Sequence, residues 1–182
     1  QRGLTYDRVF ELEESSDDGD EYDYSPAREE WVLRSGAQAA THQIIHEAWQ
    51  SHAIINLSMP VPVNLAARAA RKCDGRLDAQ LRITLSHDSP RIDVEVTLNN
   101  QADDHRVRLL IPTPFACERV LTDTQFGSVY RPVMDEAMTR WEEEAWEEAP
   151  VPVWNFLNYA ALEQQGQGIA LFTEGLREVE IV

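Results

Sequence analysis

The sequence predicts an all-β protein, an antiparallel β-sandwich with at most one or two short helices. Three observations carry that expectation. Leu77, Ala79, Leu81, Ile83 and Leu85 alternate with polar residues without a fault, and so do Ile92, Val94, Val96 and Leu98. About ten short strand-like runs are separated by Gly, Pro, Asn and Asp turn signals. Only residues 65–72 and 136–148 read as helix.

Residues 5–13 place Tyr6, Phe10 and Leu12 on one parity, a half-buried strand that feeds an acidic stretch. Residues 30–34, EWVLR, give a second short strand. Residues 43–56 fit two patterns. Ile44, Ile45, Ala48 and Trp49 would share a helix face, yet the run continues into β-like AIINL, and two strands are assigned. Pro60 and Pro62 read as a breaker, because neither can donate to a ladder. Residues 65–72 form a short helix ended by the Asp74-Gly75 turn.

The two alternating runs pair as a hairpin through His87-Asp88-Ser89-Pro90. Residues 99–104 turn the chain, and Val107, Leu109 and Ile111 add a third strand, so an antiparallel meander with one wet face is expected. Residues 126–130 are a further strand, ended by Pro132. Asp135 can cap the helix at 136–148, where Trp141 and Trp146 need a surface to lie on. Residues 151–159 are extended, with Pro152 favouring an edge. Residues 168–172 and 176–182 form a last pair around Glu174-Gly175. Residues 1–182 are expected to be one β-sandwich domain.

A chain of 182 residues with 43% apolar residues can build a real core. Its formal charge of −16 repels phosphate backbones, which argues against a nucleic-acid partner. No apolar run reaches membrane-span length and no secretory leader is present, so a cytoplasmic protein without a membrane partner is expected. Cys73 and Cys117 are far apart and read as free thiols of a reducing compartment. The chain opens on Gln1 and stops within an apolar alternation, which reads as a segment of something longer.

The acidic stretch 11–26, ELEESSDDGDEYDYSP, demands a separate account. Eight of its first thirteen residues are carboxylates, yet Tyr22, Tyr24 and Pro26 give it the look of a fixed shape. Clustered carboxylates suit calcium, but Asp17, Asp18, Asp20 and Asp23 lack EF-hand spacing and Gly19 is misplaced. A solvated charge run is the bland alternative. His42 and His46 stand four apart without the Glu of a zinc-protease motif, and a surface or packed pair is expected. The run Asp103-Asp104-His105-Arg106 could do acid-base work, but at a strand entrance it reads as a turn with a paired surface Arg. There is no nucleophile elbow and no Gly-rich phosphate loop. On the residues alone, a fragment of a larger enzyme and a freestanding carbohydrate- or calcium-binding module both fit.

Several blocks together resemble the carboxyl-terminal region of glycoside hydrolase family 38 α-mannosidases, and within it the bacterial mannosylglycerate hydrolases. They are EESSDDGDEYDYSP at 13–26, RIDV at 91–94, NNQADDHR at 99–106, DTQFGS at 123–128, PVPVWN at 150–155 and FTEGLRE at 172–178. The resemblance implies a supersandwich-like β region that packs against an amino-terminal catalytic domain. That domain would hold a divalent metal of the zinc type and an aspartate nucleophile, and would cleave the mannosyl bond of mannosylglycerate or its 6-phosphate with retention. The family's zinc-ligand motif and its nucleophile segment have no match here, so no catalytic residue and no metal ligand is expected in this chain, which alone should be inactive.

Two positions match residues that line the sugar cleft in related enzymes. Tyr22 matches a loop tyrosine, with Glu21 before it and Pro26 after it, and Arg131 matches a strand-end arginine. A Tyr hydroxyl can bond a sugar oxygen while its ring packs on the sugar. A guanidinium fork can hold a glycerate carboxylate or a phosphate at two points. The alternatives are a Tyr that packs its own loop and an Arg that pairs with a local acid.

Overall fold

The computed structural model of the chain describes residues 9–20, 24–27, 31–147 and 150–182. These contain thirteen strands, all paired antiparallel, with two short α-helices and one 3₁₀ turn. The fold is all-β, as expected. The chain divides into two compact units, Gln1–Pro112 and Thr113–Val182.

The first unit is a sandwich of two sheets. One is built from β1 (Glu11–Ser16), β2 (Leu33–Arg34) and β7 (His105–Leu110), in the order β2-β1-β7. The other holds β3 (Ala40–His46), β4 (Gln50–Val61), β5 (Gly75–Ser86) and β6 (Ile92–Asn100) in sequence order. The alternation read from the sequence sends one parity of β4, β5 and β6 toward the smaller sheet. Met59, Val61, Leu77, Ala79 and Leu81 are buried there against Leu12 of β1, flanked by Val107 and Leu109 of β7. The short helix α1 (Leu65–Ala69) starts where the Asn64 side chain accepts the Ala67 N–H at 2.9 Å.

Three expectations for this unit are revised. The first strand begins at Glu11 and runs through Ser16, so three carboxylates of the acidic stretch lie in a buried strand. Residues 5–8 lie outside the described residues. The proline breaker does not break: β4 runs through Pro60 to Val61. Past Leu57 its ladder partner is β5 alone, so the other edge is open and tolerates a residue without an N–H. The third strand of the meander leaves its sheet, since β7 pairs with β1 across six residues. The turn at 101–104 makes that crossing, with Asp104 in the left-handed region at φ 53°.

The second unit contains β8 (Arg119–Thr124), β9 (Gly127–Pro132), α2 (Ala137–Arg140), β10 (Val153–Asn155), β11 (Tyr159–Gln164), β12 (Gln167–Phe172) and β13 (Glu178–Glu180). Its sheets run β12-β11-β8-β9 and β10-β13. Val120, Thr122, Phe156 and Ala160 are buried. β12 pairs with β11 rather than with the last strand, through a two-residue turn at Gln165 and Gly166. Both turn residues have positive φ, 55° and 74°, which is the twist-matched hairpin turn. β13 pairs with β10 instead. The helix expected over 136–148 is cut to one turn. Asp135 joins it through its carbonyl, which accepts the Met138 N–H, and the turns that follow are broken at Ala145, in the left-handed region at φ 54°. No described helix is long and apolar enough to cross a membrane.

Candidate functional site

The acidic stretch rises from β1, the central strand of its sheet, and all six residues of β1 are buried. A carboxylate survives such burial only with cations and donors around it. Glu13 stands in register with Arg34 on one neighbour and Arg108 on the other. It accepts from Arg34 Nε at 2.8 Å and from Arg108 Nε at 3.0 Å. Glu14, on the opposite parity, has no exposed surface and forms an ion pair with the equally buried Arg68 of α1. Its Oε1 also faces His105 Nδ1 at 3.1 Å, while its Oε2 has no hydrogen-bond partner.

The network extends to both flanks of the acidic loop. Arg68 also donates to the Trp31 carbonyl at 2.5 Å, so one guanidinium ties the ascending strand to the descending segment. His105 Nε2 lies 3.0 Å from Asn100 Oδ1, which already accepts the Ala102 N–H. Both ring nitrogens therefore face acceptor oxygens. A neutral imidazole can donate to one of them, an imidazolium to both.

Beyond β1, Asp17 acts as a hub. Its Oδ1 accepts the N–H groups of Gly19 and Ser25, both at 3.1 Å, and its own N–H donates to the Asp104 carbonyl. The Asp18 N–H reaches the Ser25 carbonyl at 2.7 Å, Ser16 Oγ accepts the Ala27 N–H, and Arg106 lies over the Tyr24 ring at 4.6 Å. The flanks of the loop are thus tied together at the base. Tyr22, with Glu21 and Asp23, lies outside the described residues. Among the described residues no group of three or more His, Cys, Asp or Glu could hold a metal ion. His42 and His46 share one face of β3, and His46 is 3.0 Å from Ser51 Oγ. Cys73 and Cys117 are free thiols.

In the second unit, Arg131 on β9 lays its guanidinium over the Trp154 indole of β10 at 5.3 Å. The indole is itself held by donation from Nε1 to the Pro132 carbonyl at 2.8 Å. Arg131 Nε is buried with no hydrogen-bond partner. A cation fixed on an aromatic face in this way can meet a carboxylate or phosphate with its fork. On β8, Asp123 accepts the backbone N–H groups of Leu157, Asn158 and Tyr159, with the Asn158 side-chain amide at 2.7 Å. Burial pushes the Asp123 carboxyl upward, but these donors outweigh it and hold it well below the usual carboxylate range.

Tyr22 and Arg131 belong to different units. Arg68 was not singled out from the sequence, and Glu14, Asn100 and Asp123 appeared only within resembling blocks. The available signal was Arg68 standing among the alanines of NLAARAA, and carboxylates on both parities of a strand.

Residues 7–181 match the glycosyl hydrolases family 38 C-terminal domain. A curated relative from Halalkalibacterium halodurans, described as a "Putative mannosylglycerate hydrolase", is 29% identical over 117 residues, covering 63% of this chain and 12% of the relative. Two crystal structures from Enterococcus faecalis share the fold. One is of an alpha-mannosidase, with TM-score 0.80 and 22% identity. The other is of a protein in glycosyl hydrolase family 38, with TM-score 0.77 and 21% identity. Each covers 96% of this chain, which spans 21% of theirs.

Proposed function

This chain belongs to the glycosyl hydrolases family 38 C-terminal domain family, and from that premise we propose that it is the non-catalytic β segment of an α-mannosidase-type glycoside hydrolase. In the full-length protein it packs with an amino-terminal catalytic domain and helps to wall the sugar cleft. The substrate proposed is mannosylglycerate or its 6-phosphate, cleaved with retention. The likeness to the H. halodurans relative supports that substrate class. On this reading the divalent metal belongs to the catalytic domain. This chain's own contribution is to bind and orient.

The observation that carries the reading is Arg131. A guanidinium laid on Trp154, on a residue that is only partly buried, is a cation that an anion can reach. A glycerate carboxylate or a sugar phosphate supplies two oxygens for its fork. On this reading Tyr22 offers its hydroxyl to the mannose.

The test is steady-state kinetics of the full-length protein with mannosylglycerate and with an uncharged aryl α-mannoside. Arg131→Ala should raise KM for mannosylglycerate at least tenfold and leave the aryl mannoside nearly unchanged. Tyr22→Phe should lower kcat/KM for both. Wild-type kinetics in both variants would remove the site assignment. Micromolar mannoside binding by residues 1–182 alone would instead support a freestanding module.

A further inference from the structure

The four-stranded sheet of the first unit is about twice as long as the sheet that covers it. β4 and β5 have twelve residues each, whereas β1 and β7 have six. At about 3.4 Å per residue that is roughly 40 Å of strand under 20 Å of cover. Register divides the inner face into rows. Met59 with Leu77, Leu57 with Ala79, and Ile55 with Leu81 and Val96 lie in or against the core.

The next two rows are different. Ile44, Ala53, Ile83 and Val94 form one, and His46, Ser51, Leu85 and Ile92 the other. Period-two geometry puts them on the same face as the core rows. Yet Ile44 is 60% exposed, Ile92 55% and Leu85 49%, and Val94 is exposed as well. Trp49, in the β3–β4 turn at the same end, is 77% exposed. These rows contain no carboxylate, although the chain has twice as many acids as Lys and Arg together. The acids of β6, Asp93 and Glu95, fall on the other parity. A sheet end of mostly apolar rows without a carboxylate, in so acidic a chain, is a surface suited to an apolar contact.

We propose that this end of the sheet is the seat of another part of the same full-length polypeptide, outside residues 1–182. Two observations choose that occupant over a second copy. Four strands at about 4.8 Å and two rows at about 6.8 Å give roughly 260 Å². That is a third of the roughly 800 Å² per partner that a stable dimer needs. A segment of the same chain is held at high effective concentration and needs far less area. The two solved relatives are also nearly five times as long as this chain, so the same polypeptide in them supplies ample surface. The proposal rests on reading this chain as a segment of a longer hydrolase, and it names the surface through which the segment is held.

The experiment uses the full-length protein with p-benzoylphenylalanine placed at position 92, and separately at position 44, followed by irradiation and peptide mapping. Cross-links within one chain to peptides outside residues 1–182 are expected from both positions. A dimer-sized product, links confined to residues 113–182, or no cross-link from either position would each overturn the proposal. Comparing the Ile92→Lys variant with Asp93→Lys on the opposite face gives a second measure. The first should lower the melting temperature of the full-length protein by several degrees, and the second should not. Hydrolysis of mannosides is assayed on the same samples. Cross-links to the expected peptides in a protein with no mannosidase activity would leave this seat standing and remove the proposed function instead.

Discussion

Replacing Arg68 with methionine removes the cation beside Glu14 while keeping most of the side-chain volume. Glu14 then keeps only the His105 ring nitrogen beside its Oε1, with no exposed surface and an Oε2 that already lacks a partner. The Trp31 carbonyl loses its donor in the same step. Removing one member of a buried pair costs about 3–5 kcal/mol. That is a large share of the 5–15 kcal/mol typical of a whole domain. With a urea slope of about 1–3 kcal/mol per molar, the unfolding midpoint of the first unit should fall by roughly 2 M. Fluorescence of Trp31, beside the network, and far-UV dichroism should both follow the loss. The pairing itself is read from a double-mutant cycle with Glu14→Leu. The double variant should be more stable than Arg68→Met alone, because no buried charge is left. A cost under about 1 kcal/mol for Arg68→Met, or strictly additive single effects, would refute the reasoning.

Other outcomes follow from the same contacts. Asp123 has a depressed folded value, so its contribution is complete above the ordinary carboxylate value near 4 and is lost as pH falls below that toward the folded value. Asp123→Asn should therefore lower the stability of the second unit at pH 7 and flatten its decline below pH 4, measured by urea titration at several pH values. Gly168→Ala places a Cβ 2.7 Å from the Leu162 carbonyl oxygen, a backbone atom that cannot swing aside as a flexible side chain would. It should cost about 1–3 kcal/mol by thermal melting, more than a typical exposed strand substitution. Burial, and next the charge of Glu14, raise the Cys73 thiol above its ordinary value. Cys73 should accordingly alkylate with iodoacetamide at pH 8 more slowly than free cysteine, and Glu14→Gln should speed it.

The strands and their faces were legible where periodicity was strong. β5 and β6 lie where the alternation of Leu77–Leu85 and Ile92–Leu98 put them, because a one-residue slip would turn every apolar side chain outward. Partners were less legible. β7 has the same alternation as β6, yet pairs with β1 nearly ninety residues earlier in the chain, and nothing local to Val107 and Leu109 encodes that choice. β12 was drawn toward the wrong neighbour because Glu174-Gly175 is a visible turn signal, whereas Gln165-Gly166 is a weaker one. Of the candidate site, Arg131 was reached through a block resemblance, and its indole platform appeared only when β9 and β10 were placed. The groups beneath the acidic stretch were hidden for a different reason. Glu14, Arg68 and His105 span 91 residues of sequence, so no spacing rule joins them.

The acidic stretch is therefore two things laid end to end. From Glu11 to Ser16 the carboxylates are structural anions inside a sheet, with Glu13 matched by Arg34 and Arg108 and Glu14 by Arg68. Beyond Ser16 the described residues of the stretch, 17–20 and 24–26, are pinned by backbone N–H groups on the Asp17 carboxylate. The division explains how so acidic a segment can have a shape at all. Repulsion among the first acids is cancelled by cations drawn from other elements of the unit, and the loop leaves the sheet from a rigid foot. Composition treats all these acids alike, but burial separates them. A charge count on the stretch measures neither its metal affinity nor its disorder, because its first half is already neutralised inside the fold.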